Sequence, residues 1–212
     1  MERVDRPGPG EELNRGAVTP PRLAAAVMLL RDGGDQAGGM EVLLVQRNPK
    51  SRFMGGAWVF PGGAVHADDG EGEDGHRAAA VRELAEEASV SVAAGELVAF
   101  SRWITPEQVS IRFDTYFFLA PVPNGASPQT DGDECVAHGW FAPEKALAEH
   151  RAGELLLVFP TIKQLEQLAR FESVAKLLDH ARAHTVEPIQ PRLLFSGETA
   201  RVVLPGEPGY DD

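Results

Sequence analysis

The sequence predicts an α+β fold: a mixed β-sheet sandwiched between helices in an α/β/α arrangement, with additional helices toward the C-terminus. Three observations carry this expectation. Apolar runs of strand length, foremost Leu23–Leu30, are punctuated by glycine-rich turns. One helical stretch at residues 75–89 separates the early strands from the later ones. Helical patterning returns from Pro143 onward. Strands around one central helix, with more helices late, make a layered sandwich.

Taken in order, residues 1–20 read as a flexible N-terminal arm, rich in Gly, Pro and acids. Residues 21–187 form the single domain, and residues 188–212 an irregular tail packed on it. Leu23–Leu30 and Glu41–Arg47 are strands joined through the four glycines of Asp32–Gly39, as in a hairpin. Ala57–Phe60 is a short strand stopped by Pro61-Gly62-Gly63, and residues 64–75 are a Gly/Asp/Glu-rich loop. The helix over 75–89 takes Asp74 as N-cap. At 100° per residue, Ala78, Val81, Leu84, Ala85 and Ala88 fall on one side, and Glu83, Glu86 and Glu87 on the other. Leu97–Phe100, the aromatic-rich Arg112–Ala120 and Cys135–Phe141 are further strands. Pro143–Arg151 is a short helix, and Thr161–His184 a longer helical stretch broken near Arg170-Phe171.

Composition narrows the function. The chain has 212 residues and a formal net charge of -12. So acidic a protein has no general attraction to nucleic acid or to an anionic membrane. No run approaches the roughly 20 apolar residues that span a bilayer, and residues 1–20 lack the apolar centre of a signal peptide. The one cysteine, Cys135, allows neither an intrachain disulfide nor a cysteine-cluster zinc site, which suits a reduced cytoplasmic protein. Cys135 reads as a small buried strand residue, since no His/Asn framework would make it a nucleophile. His180 and His184 are spaced for zinc but have no third ligand. Asp131-Gly132-Asp133 is only a fragment of a calcium loop. Trp58, Trp103 and Trp140 are candidates for stacking on a base, with core packing the plainer reading for at least two.

The chemistry concentrates at Arg82-Glu83-Leu84-Ala85-Glu86-Glu87. Glutamates at i, i+3 and i+4 are neighbours on a helix, with Cβ atoms roughly 5–6 Å apart. A solvated acidic face is one reading. The other is a site for a hard divalent cation, Mg2+ or Mn2+, which removes the mutual repulsion and keeps waters for substrate phosphates. Ahead of the helix, Phe60-Pro61-Gly62-Gly63 is a turn whose backbone can approach a metal or phosphate closely.

Together these residues resemble the Nudix hydrolase signature, G-x5-E-x7-R-E-U-x-E-E-x-G-U, with U a bulky aliphatic. Gly63 stands as its first glycine, and residues 82–87 match its centre without substitution. Counting back from Arg82, Asp74 stands where the signature has its first glutamate, with Glu73 adjacent. That count leaves five extra residues after Gly63, and Ser89 replaces the last glycine. The resemblance implies the Nudix fold and metal-dependent hydrolysis of a diphosphate. It implies that Glu83, Glu86 and Glu87 hold the metal, with the Gly63 carbonyl a further ligand, and Arg82 orients Glu83. The base comes from a helix glutamate or from a distant loop, where Glu134 and Asp133 are the candidates and an ordinary solvated loop the plainer reading.

Outside the signature's centre, Ser51–Gly63, the Asp68-Asp69 pair beyond it, Trp103–Pro106, Arg112–Phe118 and Val203–Tyr210 resemble the coenzyme A diphosphatase branch, which includes the mammalian peroxisomal enzyme. That implies hydrolysis of CoA or acyl-CoA to 3',5'-ADP and (acyl-)4'-phosphopantetheine. Arg47, Lys50, Arg52 and Arg112 then become candidates for the substrate's phosphates. The end Gly209-Tyr210-Asp211-Asp212 is not a peroxisomal address. Two alternatives stand beside this expectation: a Nudix enzyme for ADP-ribose, NADH or a dinucleoside polyphosphate, and a non-catalytic Nudix-fold ligand sensor. Each takes a small nucleotide-type ligand, and the resemblance allows a homodimer without requiring one.

Overall fold

The computed structural model describes residues 12–14, 16–33, 39–196 and 199–210. Most of the expected N-terminal arm and the centre of the first hairpin connection lie outside them. The chain runs β1 (Arg22–Asp32), β2 (Met40–Arg47), β3 (Trp58–Val59), β4 (Gly62–Ala64), α1 (Gly72–Ala88), β5 (Val98–Ile104), β6 (Phe113–Pro121) and β7 (Cys135–Phe141). Then follow α2 (Pro143–Ala152), α3 (Phe159–Leu168), α4 (Val174–Arg182), β8 (Pro188–Ile189), β9 (Arg192–Ser196) and β10 (Thr199–Val203).

The main sheet has the order β3-β2-β1-β6-β5-β8, with β4 also paired to β1 and β7 to β2. It is mixed. β1 pairs antiparallel with β2 and β4 but parallel with β6. Side chains alternate across a strand, so β1 feeds two cores. Ala26, Met28 and Leu30 pack toward Leu165, Leu168 and Leu177 of α3 and α4. Ala25, Val27 and Leu29 pack toward Ala79, Ala80 and Leu84 of α1. A strand covered on both faces reads as an unbroken apolar run rather than an alternating one, which is why Leu23–Leu30 stands out in the sequence.

Several expectations need correction. α1 begins at Gly72 with Glu71 as N-cap, so Asp74 lies inside the helix. The glutamates are not on the side opposite the core. Glu83 and Glu87 are buried on the packed face together with Ala79, Ala80, Leu84 and Ala88, and only Glu86 points out. A helix side made mostly of alanine is weakly marked by hydrophobicity, and tertiary packing decided the rotation. The break in the late helical stretch, by contrast, falls where expected, at residues 169–173 between α3 and α4. The tail is not irregular: β8 extends the sheet edge beside β5, and β9 and β10 pair antiparallel. Its prolines sit at or outside strand ends, where a missing N–H costs no ladder bond. Among the described residues, no helix is long and apolar enough to cross a membrane.

Candidate active site

The site forms where α1 crosses the glycine turn. Gly62 and Gly63 lie opposite Ala26 and Ala25 of β1, pressed between that strand and the helix. A Cβ on Gly62 would come within 2.5 Å of the Ala25 carbonyl oxygen. One on Gly63 would stand 2.5 Å from Oε1 of Glu83. The glycines are therefore a steric requirement of setting the Glu83 carboxylate against the strand.

Glu87 is the more deeply buried acid, its side chain 2% exposed. Its Oε2 accepts the Gly62 N–H at 2.9 Å, while Oε1 is buried with no hydrogen-bond partner. Burial, partly offset by the Gly62 N–H and reinforced by the Glu83 charge, pushes its pKa up to about 7. Burial also raises the Glu83 carboxyl, against the opposing pull of Arg82.

Arg82 ties the acids together. Its Nη1 donates to Glu83 Oε1 at 2.6 Å and to Glu86 Oε2 at 3.3 Å. Its Nη2 donates to the Ala64 carbonyl at 3.0 Å. Nε and Nη2 hold the two carboxylate oxygens of Asp69 at 3.2 and 2.9 Å, the fork-to-fork geometry of a strong Arg–carboxylate pair. Asp69 responds: the Arg82 hydrogen bonds hold its carboxyl below the usual range despite burial.

Asp69 is the acid that pairs with Arg82, and the count back from Arg82 misses it. Glu73 instead pairs with Arg77 at 2.6 Å, and Asp74 is exposed. Counting forward from Gly63 finds Asp69 at the signature's own G-x5 spacing. The extra residues lie between this acid and Arg82, where they link the short 3-10 turn Ala67–Asp69 to α1 and add to the helix's first turns.

The structure brings Arg47 and Glu134 to the same place. Arg47 Nη2 donates to Glu134 Oε1 at 3.1 Å, and its Nη1 stands 3.8 Å from Glu87 Oε1. Asp133 lies on the same loop, with its carbonyl bonded to Asn48. Arg52 is exposed on the loop after β2 and has no hydrogen-bond partner among the described residues. Arg112 is not brought to the site. Its buried guanidinium donates to the carbonyls of Thr105 at 3.1 Å and Thr19 at 2.6 Å, so its charge is spent on joining the arm to the turn before β6. Cys135 is buried beneath Glu87, where burial first and the neighbouring carboxylate second push its thiol up, away from nucleophilic form. Trp103 is core, and Trp58 is half-buried with its ring edge-on to Phe141. Trp140 is covered by the Arg31 guanidinium at 4.3 Å.

Among the described residues, no three acidic, His or Cys side chains already converge at ion-binding spacing. The donor set nevertheless fits a hard cation. Two buried carboxylates adjoin an exposed third, one buried oxygen accepts no hydrogen bond, and the Gly63 backbone approaches the Glu83 carboxylate so closely that a Cβ there would clash.

Known proteins share the domain and the fold. A model of the NUDIX domain matches residues 20–158. A Caenorhabditis elegans protein provisionally named nudix hydrolase 7 is 27% identical over 164 residues, covering 61% of this chain and 56% of that protein. The human acyl-coenzyme A diphosphatase NUDT19 is 28% identical over 116 residues, covering 52% of this chain and 31% of its own. This chain therefore spans about half of one curated relative and about a third of the other. The crystal structure of a NUDIX hydrolase from Alicyclobacillus acidocaldarius superposes with a TM-score of 0.70 at 26% identity, covering 77% of this chain and 97% of that one.

Proposed function

The chain belongs to the NUDIX-domain family, and from that premise we propose that it hydrolyses the diphosphate linkage of a nucleotide-type substrate with Mg2+ or Mn2+, CoA or acyl-CoA foremost. One observation carries the reading: the buried pair Glu83 and Glu87, seated against Gly62 and Gly63, with Glu87 Oε1 accepting no hydrogen bond. A protein does not bury two carboxylates side by side without compensation, because each loses its hydration and repels the other. A ligand sensor has no need of such a cluster.

Glu83, Glu86 and Glu87 would hold the metal, which lowers the pKa of a bound water and neutralises charge on the diphosphate. The chain's own residues do the rest. Arg82, anchored by Asp69, fixes the rotamer of Glu83 and restrains Glu86. The Gly62 N–H fixes Glu87. Glu134, more than half exposed and held beside Glu87 by Arg47, would serve as the general base. Arg52 stands free to meet a substrate phosphate.

The CoA preference rests on the branch resemblance at Ser51–Gly63 and Trp103–Phe118 and on the human acyl-coenzyme A diphosphatase among the relatives. The test is a substrate panel with Mn2+ or Mg2+: CoA, acyl-CoA, ADP-ribose, NADH and dinucleoside polyphosphates. Release of 3',5'-ADP from a CoA species, faster than any other turnover, is the expected result. Faster turnover of ADP-ribose sinks the CoA assignment. No metal-stimulated hydrolysis across the panel sinks the enzyme reading.

A further inference from the structure

Glu134 is held in place by far more than its own side chain. Asp131 accepts three successive main-chain N–H groups: Oδ1 takes Cys135 at 2.9 Å and Asp133 at 3.3 Å, and Oδ2 takes Glu134 at 3.1 Å. The Gly132 N–H closes the same loop on the Cys135 carbonyl at 3.0 Å. From the facing strand end, the Asn48 N–H donates to the Glu134 carbonyl at 2.8 Å, and its Nδ2 donates to the Asp133 carbonyl at 2.8 Å. Between these bonds, Arg47 reaches Glu134 on one side and Glu87 on the other. The β2–β7 register shifts between Gln46 and Arg47, opposite Cys135. Such a bulge re-aims the side chain that carries it.

Water satisfies an exposed loop end as well as protein does. Six directed bonds to a three-residue segment matter only if the segment must hold one conformation. We propose that Asp131 and Asn48 are positioning residues: they clasp the loop before β7 to the loop after β2 and so lock Glu134 and Arg47 against the acidic face of α1. The functional part rests on the diphosphatase reading, while the clasp itself does not.

The test pairs amide exchange with kinetics on the full chain. D131A speeds exchange at Glu134, Cys135 and, across the clasp, Asn48, by at least about tenfold. D131N keeps the Oδ1 acceptor and retains most of that protection. With CoA and Mn2+, D131A lowers kcat about ten- to a hundredfold with little change in KM, since a small misplacement of a reacting group costs that much. D131N recovers most of the rate, and the double variant D131A/E134Q is no slower than E134Q. The proposal is overturned if exchange at Asn48 is unchanged in D131A, if E134Q is as fast as wild type, or if D131A slows E134Q by the same factor as it slows wild type. If wild type turns over no diphosphate, the functional reading has failed, and exchange at Asn48 still decides whether Asp131 holds Glu134.

Discussion

The two faces of the sheet are built for opposite purposes. The face under α3 and α4 is filled with large side chains: Met28, Leu30, Leu44, Leu165, Leu168 and Leu177 are all fully buried. The face under α1 also buries Leu29, Leu43, Leu84 and Phe118, but the helix itself contributes mostly alanine, Ala79, Ala80 and Ala88, facing Ala25 of β1. Small side chains bring the helix close to the strands, and at that separation Glu83 and Glu87 meet the glycine turn. The first face stabilises the fold by apolar burial. The second gives up some of that burial to keep carboxylates in an environment that disfavours their charge. The difference teaches that stability and chemistry are separated by the sheet, and that substitutions on the two sides should fail in different ways.

The largest contrast is expected at Glu87. E87Q removes a charge proposed to hold the metal, and kcat should fall by about 10^3-fold or more under saturating Mn2+. The same change should stabilise the metal-free protein near neutral pH. The folded-state pKa of Glu87, about 7, lies above its ordinary value of 4.5. The folded state therefore holds the proton longer than the unfolded one, and stability falls as pH rises from about 4.5 to 7. The loss is about 2–3 kcal/mol. Urea unfolding in EDTA across that window should show the slope in wild type and a flatter one in E87Q. A destabilised E87Q at pH 7.5 would break the comparison.

On the opposite face, L165A should lower unfolding free energy by about 3 kcal/mol, while kcat per folded molecule stays near wild type. Chemical denaturation and active-site-normalised turnover check both halves. G63A lies at the junction. Its new Cβ would drive into Glu83, costing about 10- to 100-fold in kcat. Its stability loss should be smaller than that of L165A. The smallest effect is at the end of α1, where Ser89 holds φ +55°. S89G should change stability by no more than about 1 kcal/mol, on the favourable side, since relief of strain outweighs the added chain entropy. Its melting temperature reads this out.

Much of this was legible in the sequence because local physics carried it. The run Leu23–Leu30 marks a strand covered on both faces, Pro143 marks a helix start, and residues 82–87 together with Pro61-Gly62-Gly63 resemble the Nudix signature. Where signals were weak, the sequence misled. The alanines of α1 did not define its buried side, so the glutamates were placed facing away from the core. The early acid was sought eight residues before Arg82, whereas Asp69 meets Arg82 through a longer connection that only the folded chain closes. Arg112 looked like a phosphate ligand until its guanidinium was found buried on main-chain carbonyls.

The sequence by itself determined the layered fold, the acidic helix and the glycine turn that precedes it, because each depends on neighbours within a few residues. The tertiary structure alone decided which glutamates are buried, that Asp69 anchors Arg82, and that Arg47 and Glu134 reach Glu87. Those contacts join residues far apart in the chain. Their distances follow from sheet register and helix rotation, which pattern and spacing do not encode.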